Sequence, residues 1–159
     1  MCCDDQDPVL SAHHDETLLY EVRRVRTTGE MDAALELRHQ VFCEEQGVPK
    51  HEELDGRDHE ALHLVAVGEG ELLATCRLLF VGPTVQFSRL AVRASDRRHG
   101  IATALLELAE AETRAAGARR LVLHAQTYAQ QLYETAGYEP RGRVFIEADI
   151  EHVAMEKQL

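Results

Sequence analysis

The stretch from residue 85 to residue 106, VQFSRLAVRASDRRHGIATALL, restricts the possible folds more than any other. Residues 85–92 are an apolar, β-leaning run that reads as a strand. After them Ile101, Leu105 and Leu108 recur at the three- and four-residue spacing of a helix. Between the two lies a polar turn, RASDRRHG, with arginines at 93, 97 and 98 and a glycine at 100. A strand that feeds a basic turn and then a helix start is suited to holding phosphate. The first helical N–H groups have no partner within the helix, and the helix dipole favours an anion there. Gly100 and Ala102 leave room for a ligand to lie against the backbone, and the arginines add positive charge.

The nucleotide signature GxxxxGK[ST] and the dinucleotide signature GxGxxG are both absent. What is present, Arg97-Arg98-His99-Gly100-Ile101-Ala102, resembles the [QR]xxGx[GA] pyrophosphate loop of the GCN5-related N-acetyltransferases. In that family the loop follows a central strand whose splayed end takes the pantetheine arm of acetyl-CoA.

The rest of the chain supplies the setting. Its 159 residues suffice for one domain with a sizeable core, and the expected division is a loose acidic tail over 1–17 and a single domain over 18–159. A net charge of −11 argues against a nucleic-acid partner, and suits a salt-rich cytoplasm as well as many ordinary acidic proteins. No apolar run is long enough to span a membrane and the N-terminus has no apolar signal core, so the expected location is cytoplasmic. Cys2, Cys3, Cys43 and Cys76 lack metal-ligand spacing and read as reduced thiols, and the nine histidines are scattered; no metal site is expected.

Taken in order, residues 18–26 suggest a first strand around Tyr20, Val22 and Val25. Thr27 and Glu30 stand at capping-box spacing before a helix carrying Met31, Ala34, Leu35, Arg38, Val41 and Phe42 on one face, ended by Gly47-Val48-Pro49. Arg38 lies within that apolar stripe, read as a packed stem whose head reaches solvent or as a neighbour of the substrate cleft. The polar connection over 44–60 is carboxylate-rich, either a solvated loop or a binding loop in which Glu45, Asp55 or Asp58 recognises or deprotonates an amine. Residues 62–67 and 71–81 read as a hairpin around Gly68-Glu69-Gly70, continuing through Gly82-Pro83 into the central strand. A helix to about Gly117, a fifth strand over 121–126, a short helix over 128–136 and final strands near 143–147 and 152–157 complete the chain. Strand, helix, strand implies a parallel crossover, and the whole is a mixed α/β (α+β) layout around one sheet.

The second half extends the resemblance. Leu132-Tyr133-Glu134-Thr135-Ala136-Gly137-Tyr138 is similar to the FYxxxGF segment of the same acetyltransferases. Arg38-His39-Gln40-Val41-Phe42 with Glu45-Gln46, Asp55-Gly56-Arg57-Asp58, His63-Leu64-Val65, Ala125-Gln126 and Ile150-Glu151-His152-Val153-Ala154-Met155 resemble the ElaA-type branch. Two departures stand out: Leu132 replaces the usual phenylalanine and Ala102 a common glycine.

The resemblance implies a mixed sheet of about six to seven strands, splayed between the fourth and fifth and flanked by helices, with acetyl-CoA as co-substrate in the gap. It maps pantetheine contacts to the backbone of Leu90, Ala91 and Val92, and the pyrophosphate to Arg97, Arg98, His99, Gly100, Ile101, Ala102 and Thr103. The implied activity is direct acetyl transfer to a primary amine, with the Leu90 N–H serving the oxyanion and Tyr133 as acid near the sulfur. Glu45, His124 and His63 are open alternatives for the base. His124 alternates with Val122 and Gln126, and a core-facing, hydrogen-bonded histidine competes with that role. The acceptor is a small-molecule or peptide amine, such as a polyamine, an amino sugar or a lysine side chain, drawn by the acidic 44–60 region. Similar proteins are commonly homodimers. A non-catalytic acetyl-CoA sensor is the alternative reading.

Overall fold

The computed structural model describes residues 18–159, so the expected acidic tail lies outside the described residues. The strands are β1 (Glu21–Arg24), β2 (Leu62–Gly68), β3 (Glu71–Val81), β4 (Thr84–Val92), β5 (Arg120–Gln126), β6 (Glu139–Glu147) and β7 (Ile150–Gln158). The α-helices are α1 (Thr28–Arg38), α2 (Lys50–Glu53), α3 (Ile101–Ala115) and α4 (Gln130–Thr135). Together the strands make one seven-stranded sheet of order β1-β2-β3-β4-β5-β7-β6, antiparallel except between β4 and β5. The parallel contact follows from the α3 crossover, which returns the chain in the same direction. The expected mixed α/β fold is therefore present.

Local chemistry explains the helix boundaries. The Thr27 hydroxyl accepts from the Glu30 N–H at 3.0 Å, and the Glu30 carboxylate reaches back to the Arg26 N–H at 2.7 Å while also holding Arg23. The sequence reads one helix to Gly47, but α1 passes into a π-helical segment over His39–Glu45 before Gly47 turns the chain at φ 76°. The buried side chains of α1 are Ala34, Leu37 and Arg38; Leu37 was not on the expected stripe, whereas Met31 and Leu35 are only half-buried.

The main core joins Leu64, Cys76, Leu78, Val85 and Phe87 of the sheet to Ile101, Leu105, Leu106 and Ala109 of α3. Leu37 and Val41 close on Ala91 in a second, smaller cluster. Apolar burial thus holds β4 from α1 as well as from α3, which fixes the strand that the sequence marks as central. No helix among the described residues is long and apolar enough to cross a membrane.

Candidate active site

Strand β4 is paired to β5 only at Thr84–Arg120, Val85–Leu121 and Gln86–Val122. Beyond that point the two strands part, and β4 continues with β3 alone. On that side the register pairs Thr75 with Ala91 and Arg77 with Ser88, so Arg89 and Leu90 stand opposite the single residue Cys76. This is a β-bulge, and Arg89 sits in it at φ 58°. An extra residue bends its strand and increases local twist, which accounts for the separation of β4 from β5. The peptide groups of β4 that face β5 past Gln86 are left without a strand partner.

The parting opens a cleft of about 520 Å³. Phe87, Ser88, Arg89 and Leu90 of β4 form one wall, Leu123, His124 and Gln126 of β5 another. Phe42 of the π-helical segment and Gln46 just after it, Tyr133 of α4, and Glu147 and His152 of the β6–β7 hairpin complete it.

At the end of β4 the chain reaches α3 through Gly100, which caps the helix at φ 81° with no side-chain hydrogen bond to the cap. The first intrahelical bond runs from the Ala104 N–H to the Gly100 carbonyl at 3.0 Å. The N–H groups of Ile101, Ala102 and Thr103 therefore point out of the helix end unclaimed by it, at the positive end of a fifteen-residue helix. The arginines do not act alike. Arg93 is held by Asp96 and Glu71, and Arg97 donates to the Val92 carbonyl at 2.9 Å and pairs with Glu45 at 2.7 Å. They shape the loop as well as charging it. The donor set at the helix end fits an anionic diphosphate through backbone N–H groups.

Tyr133 lies at the base of the cleft, 7% exposed, edge-on to Phe87 and to Tyr138. Burial pushes its phenol well above the ordinary tyrosine value, so it holds its proton at neutral pH. Leu90 also lines the cleft, whereas Ala91 is buried against α1.

The three expected base candidates separate. Glu45 is engaged by Arg97 and does not line the cleft. His63 is buried on β2 with Nε2 donating to the Asp58 carbonyl at 2.8 Å, and lies outside the cleft. His124 lines the cleft, its side chain 46% exposed, with Nδ1 3.1 Å from Glu147 Oε1. Of the two open readings of His124 the core-facing one is excluded: on β5 the buried face is Leu121, Leu123 and Ala125, so the alternation puts His124 on the opposite side.

The solvent-reaching expectation for Arg38 is corrected. Its head does not reach solvent: the residue is 1% exposed and enters a closed ring of alternating charge. Arg38 pairs with Glu53 at 2.6 Å and Asp58 at 2.8 Å, and Arg77 joins Asp58 at 3.1 Å to Asp55 at 2.8 Å. Arg89 closes the circuit from Asp55 at 3.4 Å to Glu53 at 3.1 Å. Arg77 foremost holds the Asp55 carboxyl far below the usual range; Asp58 is held low by Arg38 and then Arg77, against its own burial. Neither is available to take a proton from an amine. The ring instead ties the connection after α1 to β3 and to the bulge of β4.

Burial leaves the Cys76 thiol far above its ordinary value and pushes Cys43 up as well, so neither offers a thiolate. Among the described residues no cluster of histidine, cysteine and carboxylate side chains is placed to hold a metal ion.

Glu53, Arg77, Arg89 and Glu147 were not singled out in the sequence. Arg77 and Arg89 carry a signal there, since each interrupts an otherwise apolar strand. Glu53 sits among other acidic residues, and Glu147 meets His124 only through the order β5-β7-β6.

Comparison with known proteins agrees with this geometry. The sequence model of the acetyltransferase (GNAT) domain matches residues 28–159. A Bacillus subtilis protein that carries an acetyltransferase name is 31% identical over 140 residues, covering 86% of this chain and 95% of the relative. The crystal structure of an acyl-CoA N-acyltransferase from Pseudomonas aeruginosa superposes with a TM-score of 0.76 at 32% identity, over 88% of this chain and 99% of that one. Escherichia coli ElaA superposes with a TM-score of 0.77 at 24% identity, over 88% and 99% of the two chains, a likeness of fold. With the splayed sheet, a start of α3 that no side chain caps and a family match over most of its length, the chain belongs to the GCN5-related N-acetyltransferases and is an acyltransferase by class.

Proposed function

We propose that this protein transfers acetyl from acetyl-CoA directly to a primary amine. The observation that carries the reading is the end of β4–β5 pairing at Gln86 and Val122, which opens a cleft with Tyr133 at its base. Acetyl-CoA, as co-substrate, supplies an activated thioester. The unpaired edge of β4 at Leu90, Ala91 and Val92 suits the amides of an extended pantetheine arm. The N–H groups of Ile101, Ala102 and Thr103 suit the pyrophosphate, with Arg98, His99 and Gly100 in the turn before them and Arg97 braced by Glu45.

The neutral amine attacks the thioester carbonyl, a C–N bond forms and the C–S bond breaks. The negative charge that develops on the carbonyl oxygen is met by the Leu90 N–H, preorganised in the bulge. The departing thiolate takes the proton of Tyr133, whose burial keeps the phenol protonated until that moment. The nitrogen sheds one proton, which through solvent restores the Tyr133 phenol, so amine and thioester become amide and thiol. In this reading the protein is cytoplasmic and the acceptor a small-molecule or peptide amine. The homodimer that the resemblance implies belongs to it as well, and analytical ultracentrifugation tests that part.

Calorimetric titration with acetyl-CoA, followed by thiol release against spermidine, an amino sugar and a lysine peptide, tests the proposal. Saturable binding with amine-dependent thiol release is expected. Folded protein that does not bind acetyl-CoA in low or high salt overturns the reading. Binding with no acetyl transfer to any amine returns the sensor reading.

A further inference from the structure

We infer that Glu147 is a positioning residue that holds His124 as the proton acceptor for the incoming ammonium; this rests on the acyl-transfer reading above. An ammonium ion has no lone pair, so the cleft needs a group that takes its proton beside the thioester. Of the titratable side chains in the cleft, most are already committed. Glu53, Asp55, Arg77 and Arg89 belong to the charge ring. His152 places Nδ1 2.7 Å from the Ile150 carbonyl. A carbonyl only accepts, so that nitrogen carries the proton; the residue is buried with its ring stacked on Phe145 at 5.8 Å and 22°, and its carbonyl partner brings no full negative charge to stabilise an imidazolium.

His124 is held differently. Its Nδ1 lies 3.1 Å from a carboxylate oxygen of Glu147, and its ring stands edge-on to Phe145 at 5.0 Å and 78°. A carboxylate accepts and does not donate, so a neutral His124 carries its proton on Nδ1 and keeps the Nε2 lone pair free. The pair joins two strands that are not neighbours, because β7 lies between β5 and β6. Glu147 reaches across from the last residue of β6, at the tight turn through Ala148 and Asp149. Glu147, Ala148 and Ile150 all line the cleft, as Leu90 does, so this hairpin tip brings a carboxylate and a base together in the cleft wall. Nε2 of His124 takes one proton from the ammonium, which leaves the neutral amine to attack, and later passes it to solvent. Glu147 stabilises the imidazolium in between without itself taking the proton. Substrates with a cationic primary amine are favoured over neutral hydroxyl acceptors, because only the former present both a positive charge to Glu147 and a proton to Nε2.

The test begins without an acceptor. In histidine-labelled full-length protein, long-range ¹H–¹⁵N correlation spectra should show the neutral His124 ring protonated on Nδ1. Glu147→Ala should lose that tautomer, and Glu147→Gln, whose amide oxygen still accepts, should keep it. The rate arm follows single-turnover thiol release from acetyl-CoA with water as nucleophile and enzyme in excess. His124→Ala and Glu147→Ala should each slow it by about 10²-fold, and the double variant should be no slower than His124→Ala. Nδ1 found unprotonated, multiplicative losses, or release no faster than the uncatalysed reaction in protein that binds acetyl-CoA would each overturn the inference. Failure to bind acetyl-CoA would instead strike the acyl-transfer reading, and the tautomer result would stand apart from it.

Discussion

Glu53→Gln isolates the contribution of the charge ring. The wild-type carboxylate is almost fully buried and receives Arg38 Nε at 2.7 Å and Arg89 Nε at 3.1 Å, with Arg38 Nη2 at 2.6 Å. Both guanidiniums meet the same oxygen, Oε2, so the amide oxygen of glutamine can take its place and keep the shape, but as a neutral acceptor. One negative charge is lost from a circuit of three arginines and three carboxylates, which leaves Arg38 balanced by Asp58 alone. Removing one partner of a buried ion pair costs about 3–5 kcal/mol. Because Asp58 remains, the lower end applies, about 3 kcal/mol. For a domain of this size that lowers the melting temperature by about 6–12 °C. The assay is urea unfolding followed by circular dichroism, with Glu60→Gln as the comparison. Glu60 pairs with Arg57 where both side chains are nearly half exposed, and losing that solvent-screened pair should leave the urea midpoint nearly unchanged. A loss below about 1 kcal/mol for Glu53→Gln, or equal losses for the two variants, would refute the assignment of stability to the ring.

Tyr133→Phe should leave folding and acetyl-CoA affinity nearly unchanged and slow thiol release by about 10²-fold or more; unchanged release removes Tyr133 from the acid role. Gly68→Ala brings a Cβ to 2.6 Å from the Leu19 carbonyl oxygen and 2.9 Å from Leu73 Cδ1, so chemical denaturation should register a loss of about 1–3 kcal/mol. The carboxyls of Asp55 and Asp58 are held below their ordinary values in the folded protein. Their contribution is therefore complete above the unfolded value near 4 and is lost as pH falls below it. Urea midpoints measured from pH 7 down to pH 3 should decline, and Asp55→Asn should flatten that decline; an equally steep decline in the variant would count against the ring as its source.

Much of the architecture is legible because it rests on local chemistry. Thr27 and Glu30 announce the first helix, Gly68-Glu69-Gly70 the β2–β3 hairpin, and the RASDRRHG turn the passage from β4 to α3, since caps, turns and periodicity act over a few residues. The π-helical segment was not legible, because its residues also suit an ordinary helix. The sequence leaves the facing of His124 open because a short strand shows an alternation but not which face is covered. That depends on α3, which packs over Leu121 and Leu123. For Arg38 only the solvent-reaching reading fails, for a related reason: a lone arginine in an apolar stripe snorkels by default, and only the approach of Glu53 and Asp58 makes full burial tolerable.

The sequence by itself determined the order of the elements, the glycine-capped start of α3 and the resemblance of two segments to one acetyltransferase family, because each is written in contiguous residues. The resemblance implied a gap between the fourth and fifth strands, but the tertiary structure alone decided at which residue they part, and placed there a bulge at Arg89 that is defined only by its pairing with β3. It also decided which charged groups remain free in that cleft. Ion pairs such as Arg89 with Glu53 and His124 with Glu147 join residues 36 and 23 positions apart. No local rule carries such a pairing, and a carboxylate's chemistry follows from the cation it meets.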